Sequence, residues 1–360
     1  IGSDYGTLET IIDNYQANFN SNVVFSFQSR DTIVIGTDSQ LSAFLTDLGS
    51  GALALTDQSI TIDSTFPITV SQANTIDGLT TGTVTASIAT DSTVDSLKTL
   101  TGTNAYTIVI AAGDATGSTA SELNTIDAAT SVQVDANAIT AISGTYTDIT
   151  NLYASSGVTG LANEAITITD ELTVAQANII DGLTTGAITA TIGNTRVSDL
   201  LGSTSLTDAN GNNAYTISIS TEDAAVSASN LNSINALTSI AVNLVNVNSI
   251  TASDFADLIT LNSNRDEFSN ITGITAITVT DNGGGTDSVD YGTLETIVDN
   301  YQTNFNSEVV FSFQSGDTIV IDTDSELSAF LSDVASGALV ITNQSVTIDG
   351  ASPITVSQAS

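Results

Sequence analysis

The densest run of oxygen ligands in the sequence is Asp281-Asn-Gly-Gly-Gly-Thr-Asp287. Carboxylate, amide and carbonyl oxygens around glycines suit calcium, which takes roughly six to eight oxygens. Asp281, Asn282 and Asp287 are therefore candidate calcium ligands, and the run has the look of the glycine-aspartate loops of calcium-binding β-rolls. It departs from their nine-residue consensus and occurs once, so a glycine-rich turn between units is the competing reading.

A second, diffuse calcium expectation comes from charge. Asp and Glu number 40 against 4 Lys and Arg, a formal net charge of −36. Carboxylates stacked about 5 Å apart on neighbouring strands repel one another unless a cation bridges them. Asp31 and Asp38, with their copies Asp317 and Asp324, flank the repeated strand sequence TIVI and are the first candidates. A solvated acidic surface is the alternative.

Other chemistry falls with the composition. There is no His, Cys, Met or Trp, hence no thiolate nucleophile, imidazole base or zinc or haem site of the usual kinds. Lys98, Arg30, Arg196 and Arg265 stand singly, so no surface can neutralise a nucleic-acid backbone or an anionic membrane. No apolar run approaches the roughly 20 residues that span a bilayer, so membrane insertion is not expected. Paired carboxylates could cleave a polysaccharide, but such sites need a unique cleft and most residues here recur in a second copy; an enzyme is not expected. Apolar residues make up 41% of the chain, enough Ile, Val and Leu to bury a core. A chain with no Met reads as a mature or excised piece, and its acidity suits an extracellular protein or one on a cell surface.

These residues must be positioned by repeats. Residues 4–73, DYGTLETIIDNYQANF to ITVSQA, recur at 290–359, an offset of 286. Apolar swaps are mild, as with Ile12 and Val298, whereas Arg30 becomes Gly316. Inside this period PITVSQANTIDGLT (67–80) matches ELTVAQANIIDGLT (171–184), and NAYTIVI (104–110) matches NAYTISI (213–219). The units are read as 1–58, a divergent unit; 59–164, unit A; 165–273, unit B; and 274–360, the second copy of the opening unit.

A third period, near 23 residues, sets the fold. Runs of alternating Ile, Val and Thr begin at Ser59, Thr83, Tyr106 and Ser131, and again at Ala165, Ala187, Tyr215 and Ser239; these predict strands. Between them stand helix starts. Thr69-Val-Ser-Gln72, Thr119-Ala-Ser-Glu122, Thr173-Val-Ala-Gln176 and Thr355-Val-Ser-Gln358 read as capping boxes, with Thr145 to Asp148 and Thr251 to Asp254 as shorter-armed versions. Gly186 is expected to stop the helix after Thr173. One strand and one short helix cannot bury an apolar face alone, but stacked coils can. The expectation is an α/β, β-rich repeat solenoid of parallel strands and capped helices. The alternative is a string of Ig-like β-sandwich domains, for which about 105 residues is the right size.

Phrases such as TVAQANIIDGLTTGAITATI, ITNLYASSGVTGLANEAITIT and SELNTIDAATSVQVDA resemble the giant repetitive cell-surface and extracellular proteins of marine cyanobacteria and related bacteria. The resemblance covers residues 59 to about 280 and is weaker for the flanking units. It implies a structural segment of a secreted giant, self-associating with further repeats or identical subunits into a rod, filament or surface layer. It transfers no catalytic residue. An adhesin or glycan-binding module is the alternative, a polysaccharide-active enzyme a weaker one.

Remaining candidates have plainer readings. Tyr106, Tyr215, Phe25, Phe27, Phe311 and Phe313 could stack on sugars but are expected in the core. Thr83, Thr85, Thr189 and Thr191 give Thr-x-Thr strands of the kind that present flat faces, in a chain where threonine is everywhere. Asn270-Ile-Thr272 and Asn343-Gln-Ser345 are formal glycosylation acceptors.

Overall fold

The alternating runs do form strands, for the reason their spacing implies. In the computed structural model, which describes residues 2–280, 288–314 and 316–349, strands Thr32–Ile35 and Ser59–Ile62 bury Ile33, Ile35, Ile60 and Ile62 and turn Val34 outward. Strands lie parallel, each beside one a coil further along the chain. Ile33 sits beside Ile60 and Ile60 beside Val84, so isoleucine and valine stack into a continuous apolar stripe.

The chain divides into two compact units, residues 1–170 with 183–186 and residues 171–182 with 187–360. In the first, five parallel strands run in the order Gly2–Asp4, Thr32–Ile35, Ser59–Ile62, Val84–Ser87, Ala105–Thr107. Smaller parallel pairs join Phe25–Ser26 to Leu53–Ala54, Val134–Asp135 to Val158–Thr159, and Ala141–Gly144 to the start of Ala165–Leu172. In the second unit, Ala225–Ser227, Ser249–Ala252, Ala276–Val279, Val310–Phe313 and Leu339–Val340 form one parallel sheet. Ile188–Thr195, Ala214–Ile219, Val242–Asn243 and Phe268–Ser269 run side by side, as do Ser288–Asp290, Thr318–Ile321 and Ser345–Ile348.

The architecture is thus mixed α/β, with several parallel sheets and short helices between strands. Ig-like sandwiches are antiparallel, whereas every named strand pairing among the described residues is parallel; that alternative does not hold. No described helix is long and apolar enough to cross a membrane.

Helix starts follow their capping chemistry. Thr69, Thr119 and Thr173 form complete capping boxes: each hydroxyl accepts from the amide three residues on, and Gln72, Glu122 and Gln176 accept in return from the cap amide. Thr145 caps the amide of Asp148, but the shorter Asp148 side chain reaches only the Thr145 hydroxyl. The box at Thr355 lies outside the described residues. Two expectations need correction. Thr251 belongs to strand Ser249–Ala252, and Asp254 caps the next helix, Phe255–Ser263, by accepting from the Ala256 amide at 2.8 Å. Asp254 is in extended backbone and is itself a strong cap, so Thr251 is left to the sheet.

Gly186 likewise does not end a helix. The helix Val174–Asp181 is closed by Gly182. A side chain at Gly186 would meet the Glu164 carbonyl at 2.3 Å, and one at Gly82 would meet the Gln58 carbonyl at 2.3 Å. In these matched Thr-Thr-Gly turns glycine admits the backbone of the preceding coil.

The Arg30-to-Gly316 swap also has a backbone cause. Arg30 has φ 64° and Gly316 φ 106°, a region that favours glycine. Arg30→Gly is expected to stabilise the chain by about 1 kcal/mol, measured by urea denaturation; a loss of stability would contradict this.

Candidate functional site

The polar residue immediately before a strand is repeatedly buried: Gln58, Asn104, Glu164, Asn213 and Asp317. A buried polar group must be hydrogen-bonded, and these bind the neighbouring coil. Asn104 accepts from the Val84 amide at 2.8 Å and donates to Asp77 at 2.7 Å. Asn213 accepts from the Ile188 amide at 2.9 Å and donates to Asp181 at 2.8 Å.

The preceding helix supplies the other half of this lock. Asn74 donates to the Thr99 carbonyl and accepts from the Thr101 amide, while Thr101 donates to Asp77. Asn178 donates to Ser205 and accepts from Thr207, while Thr207 and the Ala209 amide donate to Asp181. The same helix position recurs where Asn124 reaches the Asp148 carbonyl and Asn232 the Asp257 carbonyl, both at 3.0 Å. Thr80 and Thr184 fasten the turns, donating to the Gln58 and Glu164 carbonyls. Glu164 holds its turn by accepting from the Ala162 amide and the Tyr153 hydroxyl. Burial, then the Glu164 carboxylate, push the Tyr153 hydroxyl well above the usual tyrosine range.

Sequence inspection saw QANTIDGLT and QANIIDGLT as repeats and read only their helical face. The retained signal was the pairing of Asn and Asp three residues apart in both copies, with an Asn before the strand one coil later.

The calcium candidates are placed differently. Asp281, Asn282 and Asp287 lie outside the described residues. Asp31 directly precedes strand Thr32–Ile35 and Asp38 follows it, so they stand on the order of 20 Å apart along extended chain and are not brought together. Asp317 occupies the buried position before its strand. Asp38 and Asp324 sit in the first turns of helices Asp38–Ser50 and Asp324–Ser336, where a negative charge favours the helix end. Among the described residues, no three Asp or Glu form a group that could hold a metal.

The aromatic candidates divide. Tyr106, Tyr215, Phe311 and Phe313 are buried, while Phe25 and Phe27 are half-buried. Thr85 and Thr191 face outward, Thr61 lies beside Thr85, and Thr278 meets Ser312 at 3.2 Å. The Asn270 amide donates to Asn243 at 2.7 Å. A cleft of about 500 Å³ lies between helices Phe255–Ser263 and Tyr291–Asn304, lined by Leu258, Ile259, Asn262, Thr293 and Ile297. Its one carboxylate, Asp290, caps the second helix by accepting from Thr293.

That helix carries opposing electrostatics. The Thr293 hydroxyl, and then its amide, hold the Asp290 carboxyl below the usual range. Burial, followed by the charges of Asp299, Asp333 and Glu326, raises that of Glu295. The signs differ accordingly. Asp290 stabilises above its unfolded pKa and ceases to as pH falls through its lowered folded value. Glu295 does so below its unfolded pKa, and its contribution vanishes as pH rises through the raised value. Glu295→Gln is therefore expected to stabilise by about 0.5 kcal/mol at pH 7, the scale of one like-charge helix pair, with no gain at pH 4. Thermal melts at both values test this; an equal gain at both would contradict it.

The chain matches no known protein-family model and no curated protein sequence.

Proposed function

We propose that this chain is a structural segment of a giant extracellular or cell-surface repeat protein, in which coils continue into a solenoid and length is the working property. The carrying observation is coil-to-coil coupling at one spacing. Backbone ladders join Ala141 to Ala165 and Ala225 to Ser249, and side chains such as Asn124 and Tyr146 bond across the same 24 residues. A coil of this kind shields its neighbour and leaves its own outer face for the next. The site is a fastening rather than a catalytic centre, so the segment is proposed not to be an enzyme. Further repeats or identical subunits are the proposed partners. Electron microscopy of the native assembly tests this: rods or filaments support it, and separate globules joined by thin links overturn it.

A second reading, glycan binding, draws on the outward threonines around Thr85 and Thr191. Specific hits on a glycan array would favour it, and none with or without calcium would remove it. Calcium bridging of carboxylates is a separate proposal resting on the net charge of −36. A melting temperature lowered by EDTA would support it; an unchanged one would remove it.

A further inference from the structure

One stretch of sequence occurs twice in this chain in two different states. Helix Tyr5–Asn18 and its following loop are nearly identical to helix Tyr291–Asn304 and its loop. In the second copy, Ile297, Tyr301 and Phe305 are 3%, 0% and 3% exposed. Their counterparts Ile11, Tyr15 and Phe19 are 42%, 47% and 76% exposed, and Val24 is 57% exposed. An apolar face of this size on a highly charged molecule calls for a partner.

The second copy shows what covers such a face. Helix Phe255–Ser263 lies on it: the Tyr301 hydroxyl donates to the Leu258 carbonyl at 2.9 Å and Asn304 donates to Asn262 at 2.9 Å. Asn306 donates to the Thr272 carbonyl at 3.0 Å, and strand Ala276–Val279 pairs in parallel with Val310–Phe313. In the first copy Asn18 instead turns back onto the Asn14 carbonyl, and strand Phe25–Ser26 pairs on one side alone, with Leu53–Ala54.

The exposed face already has its docked geometry. Tyr15 stacks on Phe19 with centroids 5.0 Å apart and meets Phe25 edge-on at 5.9 Å; Tyr301 makes the same pair of contacts with Phe305 and Phe311, at 4.4 and 5.9 Å. Ordering the aromatic cluster adds little cost to association.

We infer that the face formed by Ile11, Tyr15, Phe19 and Val24 is an acceptor for one occupant: a copy of the coil 249–279, supplied by the preceding repeat of the same polypeptide. This deepens the structural proposal above and rests on it. A second molecule of this chain is a poorer occupant, because its own 255–263 helix is already covered by Tyr291–Asn304. The junction recurs once per 286 residues, and its two halves would be coded on opposite sides of that boundary.

The test places a second copy of residues 249–286 before Ile1 and compares this extended chain with the original. Nitration at Tyr15, read by mass spectrometry, is expected to fall at least tenfold, and hydrogen exchange at the Val24 amide to slow to that at Val310. A Leu258→Asp change in the added coil alone is expected to restore Tyr15 reactivity. Unchanged reactivity and exchange in the extended chain would overturn the inference. So would dimers of the original chain that Phe19→Ala abolishes, which would make a second molecule the occupant. Unchanged Tyr15 alongside a continuous rod in the native assembly removes this docking alone; separate globules there remove the structural proposal too.

Discussion

Phe305→Ala is expected to destabilise the protein by about 3–5 kcal/mol, and the same change at its counterpart, Phe19→Ala, by less than about 1 kcal/mol. The two rings stand in nearly identical local sequence and each stacks on a tyrosine. What differs is the coil on top. Phe305 is buried beneath elements that Tyr301 and Asn304 tie down, so truncation loses transfer energy and leaves a cavity. Phe19 faces water, so truncation removes little burial. Urea denaturation of both variants measures the difference, and equal losses would show that the second face owes nothing to its neighbour.

The second large effect concerns the polar lock. Asn213→Leu is expected to cost about 3–5 kcal/mol although it adds apolar bulk. It strips the Ile188 amide of its acceptor and takes one donor from the buried Asp181 carboxylate. Each orphaned group forfeits hydration without compensation. The neighbouring Asn212 is exposed, and Asn212→Ala is expected to change stability by less than about 0.5 kcal/mol. Amide exchange at Ile188 supplies a local readout: it is expected to accelerate in Asn213→Leu and not in Asn212→Ala. Stability retained in Asn213→Leu would mean that packing alone couples these coils.

Much of the secondary structure was legible because it rests on neighbours in sequence. Alternation of Ile, Val and Thr marked the strands, since facing residues alternate by two along a strand. Three of the boxes held because Thr with Gln or Glu three residues on satisfies both ends of a cap. Thr251 misled for an instructive reason: its run contains a competing cap, Asp254, and the strand claims the threonine. Gly186 misled because its requirement comes from the carbonyl of Glu164, 22 residues back, and no local pattern reports a close approach between coils.

The polar lock was hidden for the same reason. Asn213 and Asn212 are adjacent and chemically identical, yet one is buried and the other exposed; only the parallel register, with Tyr215 beside Ala190, separates them. The carboxylate candidates failed to converge because flanking a strand places Asp31 and Asp38 at its two ends. Composition tells how many acids a chain has, but the coil decides which meet. The exposed face at Tyr15 was likewise invisible to sequence, because its buried twin at Tyr301 has the same local residues.

Cryo-electron microscopy of native multi-repeat protein tests the central claim most directly. About eleven coils fill 286 residues, and strands in a parallel ladder are about 4.8 Å apart. The account therefore predicts a continuous column with an axial repeat of roughly 50 Å. A chain of closed, separately rounded domains, with no unbroken ladder of strands between them, would contradict it.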